Sequence, residues 1–171
     1  MQSHFEFLVH LLAAHPQWAA AIVFFVALAE SLLVANLLFP GTAFLMAAGV
    51  LVATGDLPAI PSVFGTALGA MAGDGLSYWL GRRFKAAVRR SWLSGMDADL
   101  TSAAVRFFHR HGVAAVFLGR FFGPTRGLMS ATAGLLDMTP ARFWAANVAS
   151  AVLWAPAVLF AGMAVGAVLG R

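Results

Sequence analysis

The sequence predicts an all-helical membrane domain: spanning helices, two re-entrant helical hairpins and an amphipathic helix in the loop between apolar segments. Three observations predict it. Hydrophobic residues make up 61% of the 171 and charged residues 11%, where a soluble domain carries about a quarter charged. Three apolar stretches are long enough to cross a hydrocarbon layer of about 30 Å, which takes about 20 helical residues. Two further apolar stretches are short or broken by adjacent Pro and Gly.

The three long stretches are Trp18 to Leu38, Leu57 to Leu80 and Phe143 to Leu169. The first is apolar except for Glu30, Ser31 and Asn36, and the second except for Asp74 and some hydroxyls. The third contains Pro156, which kinks or divides a helix because it lacks the N–H that the ladder needs. After Phe39-Pro40-Gly41 the run Thr42 to Val52 is too short to span. Gly112 to Leu136 is broken in its middle by Gly123-Pro124, with Arg120 and Arg126 on either side. Each half holds about ten residues, or roughly 15 Å of helix, which reaches half-way across. A hairpin that dips to mid-depth and returns accounts for this, since non-helical backbone survives there only under cover of protein or a wet cavity.

The two broken regions also look alike. Phe39-Pro40-Gly41-Thr42 with Leu45-Met46 and Ala48-Gly49 is echoed by Phe122-Gly123-Pro124-Thr125 with Leu128-Met129 and Ala133-Gly134. Interrupted segments at matching places in two halves are the sequence mark of an inverted repeat around a transport site. Gly65, Gly69 and Gly73, and again Gly162, Gly166 and Gly170, recur every four residues, a spacing that lets helices approach closely in lipid.

Charge and chemistry narrow the function. There is no Cys, which excludes disulfides, thiolate catalysis and Cys-based metal sites. None of the five His has ligand spacing, so no metal and no cofactor are expected. The first residues lack the positive region of a cleavable signal peptide. Of the eleven basic residues, seven (Arg82, Arg83, Lys85, Arg89, Arg90, Arg106 and Arg110) share one loop, which marks residues 81–111 as cytoplasmic and argues against nucleic acid. Within it an amphipathic helix is expected, with Trp92, Leu93, Met96, Leu100, Val105 and Phe108 able to touch the membrane. A bacterial inner membrane, crossed several times, is the expected setting.

A few charges remain inside the apolar segments. Glu30 lies twelve residues after Trp18, or about 18 Å along a helix, near mid-depth if Trp18 marks an interface. It is either a proton-coupling acid or a structural one locked to an arginine. Arg120 and Arg126 flank the hairpin break, and an Arg at the centre of a span costs about 2.5–3.5 kcal/mol. Guanidinium forks match phosphate oxygens and keep their charge; the alternative is that both snorkel to the headgroup layer. Asp74 supports the site, pairing with a hairpin Arg or bonding backbone and Tyr78. Asn147, four residues after Phe143, is read as a hydrogen bonder between helices.

Together these residues resemble the DedA family of membrane proteins, also called the SNARE-associated or VTT-domain family. The resemblance is strongest over Phe117-Leu118-Gly119-Arg120-Phe121-Phe122-Gly123-Pro124-Thr125-Arg126, continuing through Ala133-Gly134, Met138, Phe143, Asn147 and Trp154. Glu30, Phe39-Pro40-Gly41, Gly73-Asp74, Tyr78 and Gly81-Arg82 support it. It covers residues 25 to 160 of what reads as a single membrane domain, 1–171. The resemblance implies two re-entrant hairpins meeting in the membrane and the transport of a lipid, either undecaprenyl phosphate or a related phospholipid. It places the essential acid at Glu30 and the essential arginines at Arg120 and Arg126. Many members carry an acid where this chain has Thr42, so Thr42, with Thr125, is a supporting position whose part in proton movement is open. The expected partners are a membrane lipid and protons, with self-association into a homo-oligomer left open. The competing transport class is a proton-motive-force-dependent antiporter of small cations or drugs, which calls for acids at its site. An enzyme is not expected, because no nucleophile stands beside a base.

Overall fold

The computed structural model describes residues 18–32, 41–85, 106–121 and 126–169. Among them are helices and no strand. Six helices carry the fold: α1 (Ala19–Ser31), α2 (Gly41–Thr54), α3 (Ala59–Arg83), α4 (Val113–Gly119), α5 (Arg126–Leu135) and α6 (Pro140–Leu169).

Glycines set how the helices pair. A Cβ on Gly65, Gly69 or Gly73 of α3 would fall 2.3, 2.1 or 2.5 Å from the carbonyl oxygens of Ala20, Phe24 and Leu28 on α1. No side chain fits there, so the backbones touch directly, as small residues allow in lipid. The two series rise together, which makes α1 and α3 parallel. Further along α3 the partner is α5: a Cβ on Gly81 would meet Ala131 O at 2.2 Å and one on Gly134 would meet Tyr78 O at 2.1 Å. That pair is antiparallel. Gly162 of α6 packs on Met46 O and Gly166 on Val50 of α2, a parallel pair. Phe143, Trp144 and Asn147 of α6 meet Tyr78, Gly75 and Met71 of α3 in reverse order. By these relations α2 runs back against α1.

Several expectations change. The first span does not run unbroken to Leu38: α1 ends at Ser31, and Leu32 is extended at φ −76°, ψ 136°. Ser31 Oγ donates to Ala27 O at 2.7 Å, a bond that weakens the helical ladder locally. At thirteen residues, or about 20 Å, α1 is too short to cross. The second expected span coincides with α3, whose 25 residues cover about 37 Å but are not apolar enough to mark a clear crossing. Among the described residues only α6 is both long and apolar enough to cross a membrane. Pro156 lies inside α6 without dividing it. The stretch expected to be a hairpin contains α4 and α5, of seven and ten residues. Its Gly123-Pro124 break, together with Thr125, Pro40, Gly170 and most of the expected amphipathic helix (including Trp92, Leu93, Met96, Leu100 and Val105), lies outside the described residues. Phe108 is not at a membrane surface: it is buried in a cluster with Tyr78, Val116 and Phe143, because Gly112, at φ +54°, turns the chain from a helical stretch at 106–111 into α4.

Polarity is arranged opposite to that of a water-soluble protein. Phe25, Ile60, Phe64, Phe160 and Val168 are 61–74% exposed, while Ser31, Ser62, Asp74, Ser77, Asn147 and Ser150 are buried. Apolar surface of that extent is stable when lipid covers it. Two large apolar clusters form the inside, with a smaller third around Leu128 and Met129 of α5. One joins α1, α2, the first half of α3 and the second half of α6, around Phe44, Leu45 and Trp154. The other surrounds Tyr78 and Phe143. In α3, Asp74 and Ser77 fall between the two; in α6, Asn147 and Ser150 do.

Candidate functional site

That polar layer is where the charges meet. The end of α1 brings Glu30 and Ser31; the start of α2 brings Gly41 and Thr42; mid-α3 brings Asp74 and Ser77. Arg120 follows α4, Arg126 opens α5, and α6 supplies Asn147 and Trp154. Helix ends and glycines make this possible: a Cβ on Gly41 would fall 2.8 Å from Glu30 Cβ, so only glycine lets α2 start against that side chain.

Glu30 and Arg120 are each 3% exposed and Arg126 is 2% exposed. Neither arginine snorkels to a headgroup layer; both are enclosed by protein. Two acid–arginine pairs form, and they differ. Arg120 Nη2 donates to Asp74 Oδ2 and to Asn147 Oδ1, and Asn147 Nδ2 in turn donates to Met71 O at 3.1 Å. Of the two roles open to Asp74, the arginine pair is the one present. Tyr78 bonds elsewhere, its hydroxyl donating to Met138 O at 2.6 Å and accepting from Arg82 Nη1 at 3.0 Å. Arg126 is held more loosely. Its Nη1 lies 3.6 Å from Glu30 Oε1, beyond a hydrogen bond, while Nη2 donates to Ser31 Oγ. Its guanidinium carbon sits 4.3 Å from the centre of the Trp154 ring. Thr42 Oγ1 donates to Glu30 Oε1, so the hydroxyl at the start of α2 bonds the buried acid.

The four charges act as one group. Asp74 is within electrostatic reach of both arginines, and Arg120 within reach of Glu30 and Arg126. Their formal charges cancel, yet their hydrogen-bonding capacity does not. Among the described residues, Nε and Nη1 of both arginines have no hydrogen-bond acceptor, and Glu30 Oε2 has no donor. Buried donors left unpaired cost roughly 1–3 kcal/mol each, more when charged. Oxygen-rich anions satisfy such donors in several directions at once.

Ser31, Ser77 and Trp154 were not singled out for roles by their sequence context. Ser31 accepts from Arg126, and its carbonyl accepts from Ser77 Oγ at 3.1 Å. Trp154 follows Asn147 by seven residues on one face of α6, which is the signal that could have marked it.

A helical chain whose large apolar side chains face outward while Glu30, Asp74, Arg120 and Arg126 are buried is a membrane protein. The model of the VTT domain matches residues 39–164, and the chain belongs to that family, the DedA membrane proteins. It is 32% identical to the inner membrane protein YabI of Escherichia coli over 95% of this chain and 64% of that protein. It is 31% identical to the inner membrane protein YqjA of the same organism over 78% of this chain and 61% of that protein. An uncharacterized membrane protein of Mycobacterium tuberculosis, Rv2637, is 38% identical over 73% of this chain and 62% of its own length. The chain thus spans a little under two thirds of these curated relatives. No solved structure matches.

Proposed function

We propose that the protein is a lipid transporter of a bacterial inner membrane that moves a lipid phosphate, with undecaprenyl phosphate the favoured substrate, from one leaflet to the other. The single observation that carries this reading is the pair of buried arginines whose Nε and Nη1 donors lack acceptors among the described residues. A phosphate has the charge and the acceptor oxygens to engage both. The chain of the lipid stays in hydrocarbon, so only the headgroup needs a polar path.

In this reading the two short-helix pairs, α1–α2 and α4–α5, are re-entrant hairpins and form an inverted repeat with the site between their tips. Several crossings of the membrane leave residues 81–111 in the cytoplasm. Ionised Glu30 faces Arg126 in the resting state. Phosphate displaces it, Glu30 takes up a proton, and Thr42 bonds either form. The antiporter reading is weaker, because a cation would meet acids already paired with arginines.

The test is transfer of labelled undecaprenyl phosphate between leaflets of proteoliposomes. Wild-type protein should accelerate it, and Arg126→Ala should reduce the rate at least about ten-fold, the loss of one charge-assisted contact. Equal rates would remove the proposal. Cation exchange driven by a pH jump, with no lipid phosphate present, would favour the antiporter instead.

A further inference from the structure

The two arginines are held in different ways. Arg120 has Asp74 and Asn147 as hydrogen-bond partners. Arg126 has one hydroxyl, a carboxylate at 3.6 Å, and the face of Trp154 at 4.3 Å. Both Asn147 and Trp154 come from α6, two turns apart, so one helix touches both cations.

Between the departure of Glu30 and the seating of the phosphate, Arg126 lacks an adjacent counter-ion whereas Arg120 keeps Asp74. A buried guanidinium without compensation would swing or draw Glu30 back. An indole face attracts the cation whatever the charge on Glu30. A cation–π contact uses none of the guanidinium's hydrogen-bond donors. The Nε and Nη1 edges, unpaired among the described residues, stay free to donate in the plane.

We propose that Trp154 is a positioning residue that holds Arg126 while Glu30 leaves it, which makes Arg126 the arginine that receives the phosphate and Arg120 a fixed neighbouring cation. This rests on the lipid-phosphate reading and adds to it a division of labour between the arginines.

The experiment measures transport in proteoliposomes of the full chain over a series of undecaprenyl phosphate contents. Trp154→Leu should raise KM about ten-fold, while Trp154→Phe, which keeps a ring, should stay within about three-fold of wild type. Because Trp154→Leu also removes packing volume, fluorinated tryptophans placed at 154 give a second measure. They keep the shape and weaken the ring's attraction for a cation, so KM should climb with the number of fluorines while kcat changes less. An unchanged KM across the fluorinated series, or equal damage from Phe and Leu, would overturn the proposal and leave Trp154 a packing residue. Wild-type protein that moves no lipid phosphate would overturn both this proposal and the function it rests on. Transport with an unchanged KM series would overturn this one alone.

Discussion

Glu30 and Asp74 are chemically alike and differently placed, and substitutions should separate them. Asp74→Asn leaves Arg120 enclosed with Asn147 but no counter-ion, and breaking a buried pair costs about 3–5 kcal/mol. The expected outcome is a clear fall in melting temperature in detergent. Glu30→Gln removes the competitor for Arg126. It should tighten binding of lipid phosphate by about ten-fold, the worth of one charged contact, and slow release, so affinity rises as transport falls. Parallel loss of both would count against the exchange of Glu30 for phosphate. The residues of this cluster were largely legible, because charge inside an apolar run is rare and stands out. Their pairing was not. Asp74 had two partners open to it, and nothing in a linear sequence says that Tyr78 bonds Met138 and leaves the carboxylate to Arg120. Ser31 and Trp154 were harder still: a serine or tryptophan in an apolar helix is ordinary until a guanidinium sits beside it.

At the scale of elements, the glycine stripes carry the packing. Gly69→Val would drive a side chain into Phe24 O, to which even a Cβ comes within 2.1 Å. It should part α1 from α3 and cost about 1–3 kcal/mol or more by overpacking, read as a lowered melting temperature. Beyond the end of α3 a separate tie holds the α5–α6 turn: Lys85 Nζ pairs with Asp137, whose backbone is left-handed at φ 57°. The Lys85 hydrogen bond lowers the Asp137 pKa from the ordinary 3.8. A carboxylate with a depressed folded pKa stabilises fully above its unfolded value and loses that contribution as pH falls through the folded one. Wild type should therefore melt above Asp137→Asn near neutral pH, with the gap closing once pH drops below 3.8. Asn tolerates the left-handed backbone as well as Asp does, so the comparison isolates charge. The stripes were readable as spacing, and α2, α4 and α5 as short apolar runs. The end of the first helix at Ser31 was missed, because Leu32, Leu33 and Val34 continue an apolar run and hydropathy does not register a serine bonding back to its own helix. Phe108 was misplaced because a basic loop suggested a surface, while Gly112 folds it under α4.

For the whole molecule, an exterior of Phe, Ile and Leu around a layer of Ser, Asn, Asp, Glu and Arg places the protein in lipid and gives it a polar interior that packing alone does not require. The proposed function requires that this interior bind a lipid by its phosphate. The most direct measurement is a binding titration of purified protein in detergent with undecaprenyl phosphate and with undecaprenol, which has the same chain and no charge. Wild type should bind the phosphate at least about a hundred-fold more tightly than the alcohol, as two charged contacts require, and Arg126→Ala should lose most of that preference. Equal affinity for the two lipids, or a preference untouched by Arg126→Ala, would contradict it.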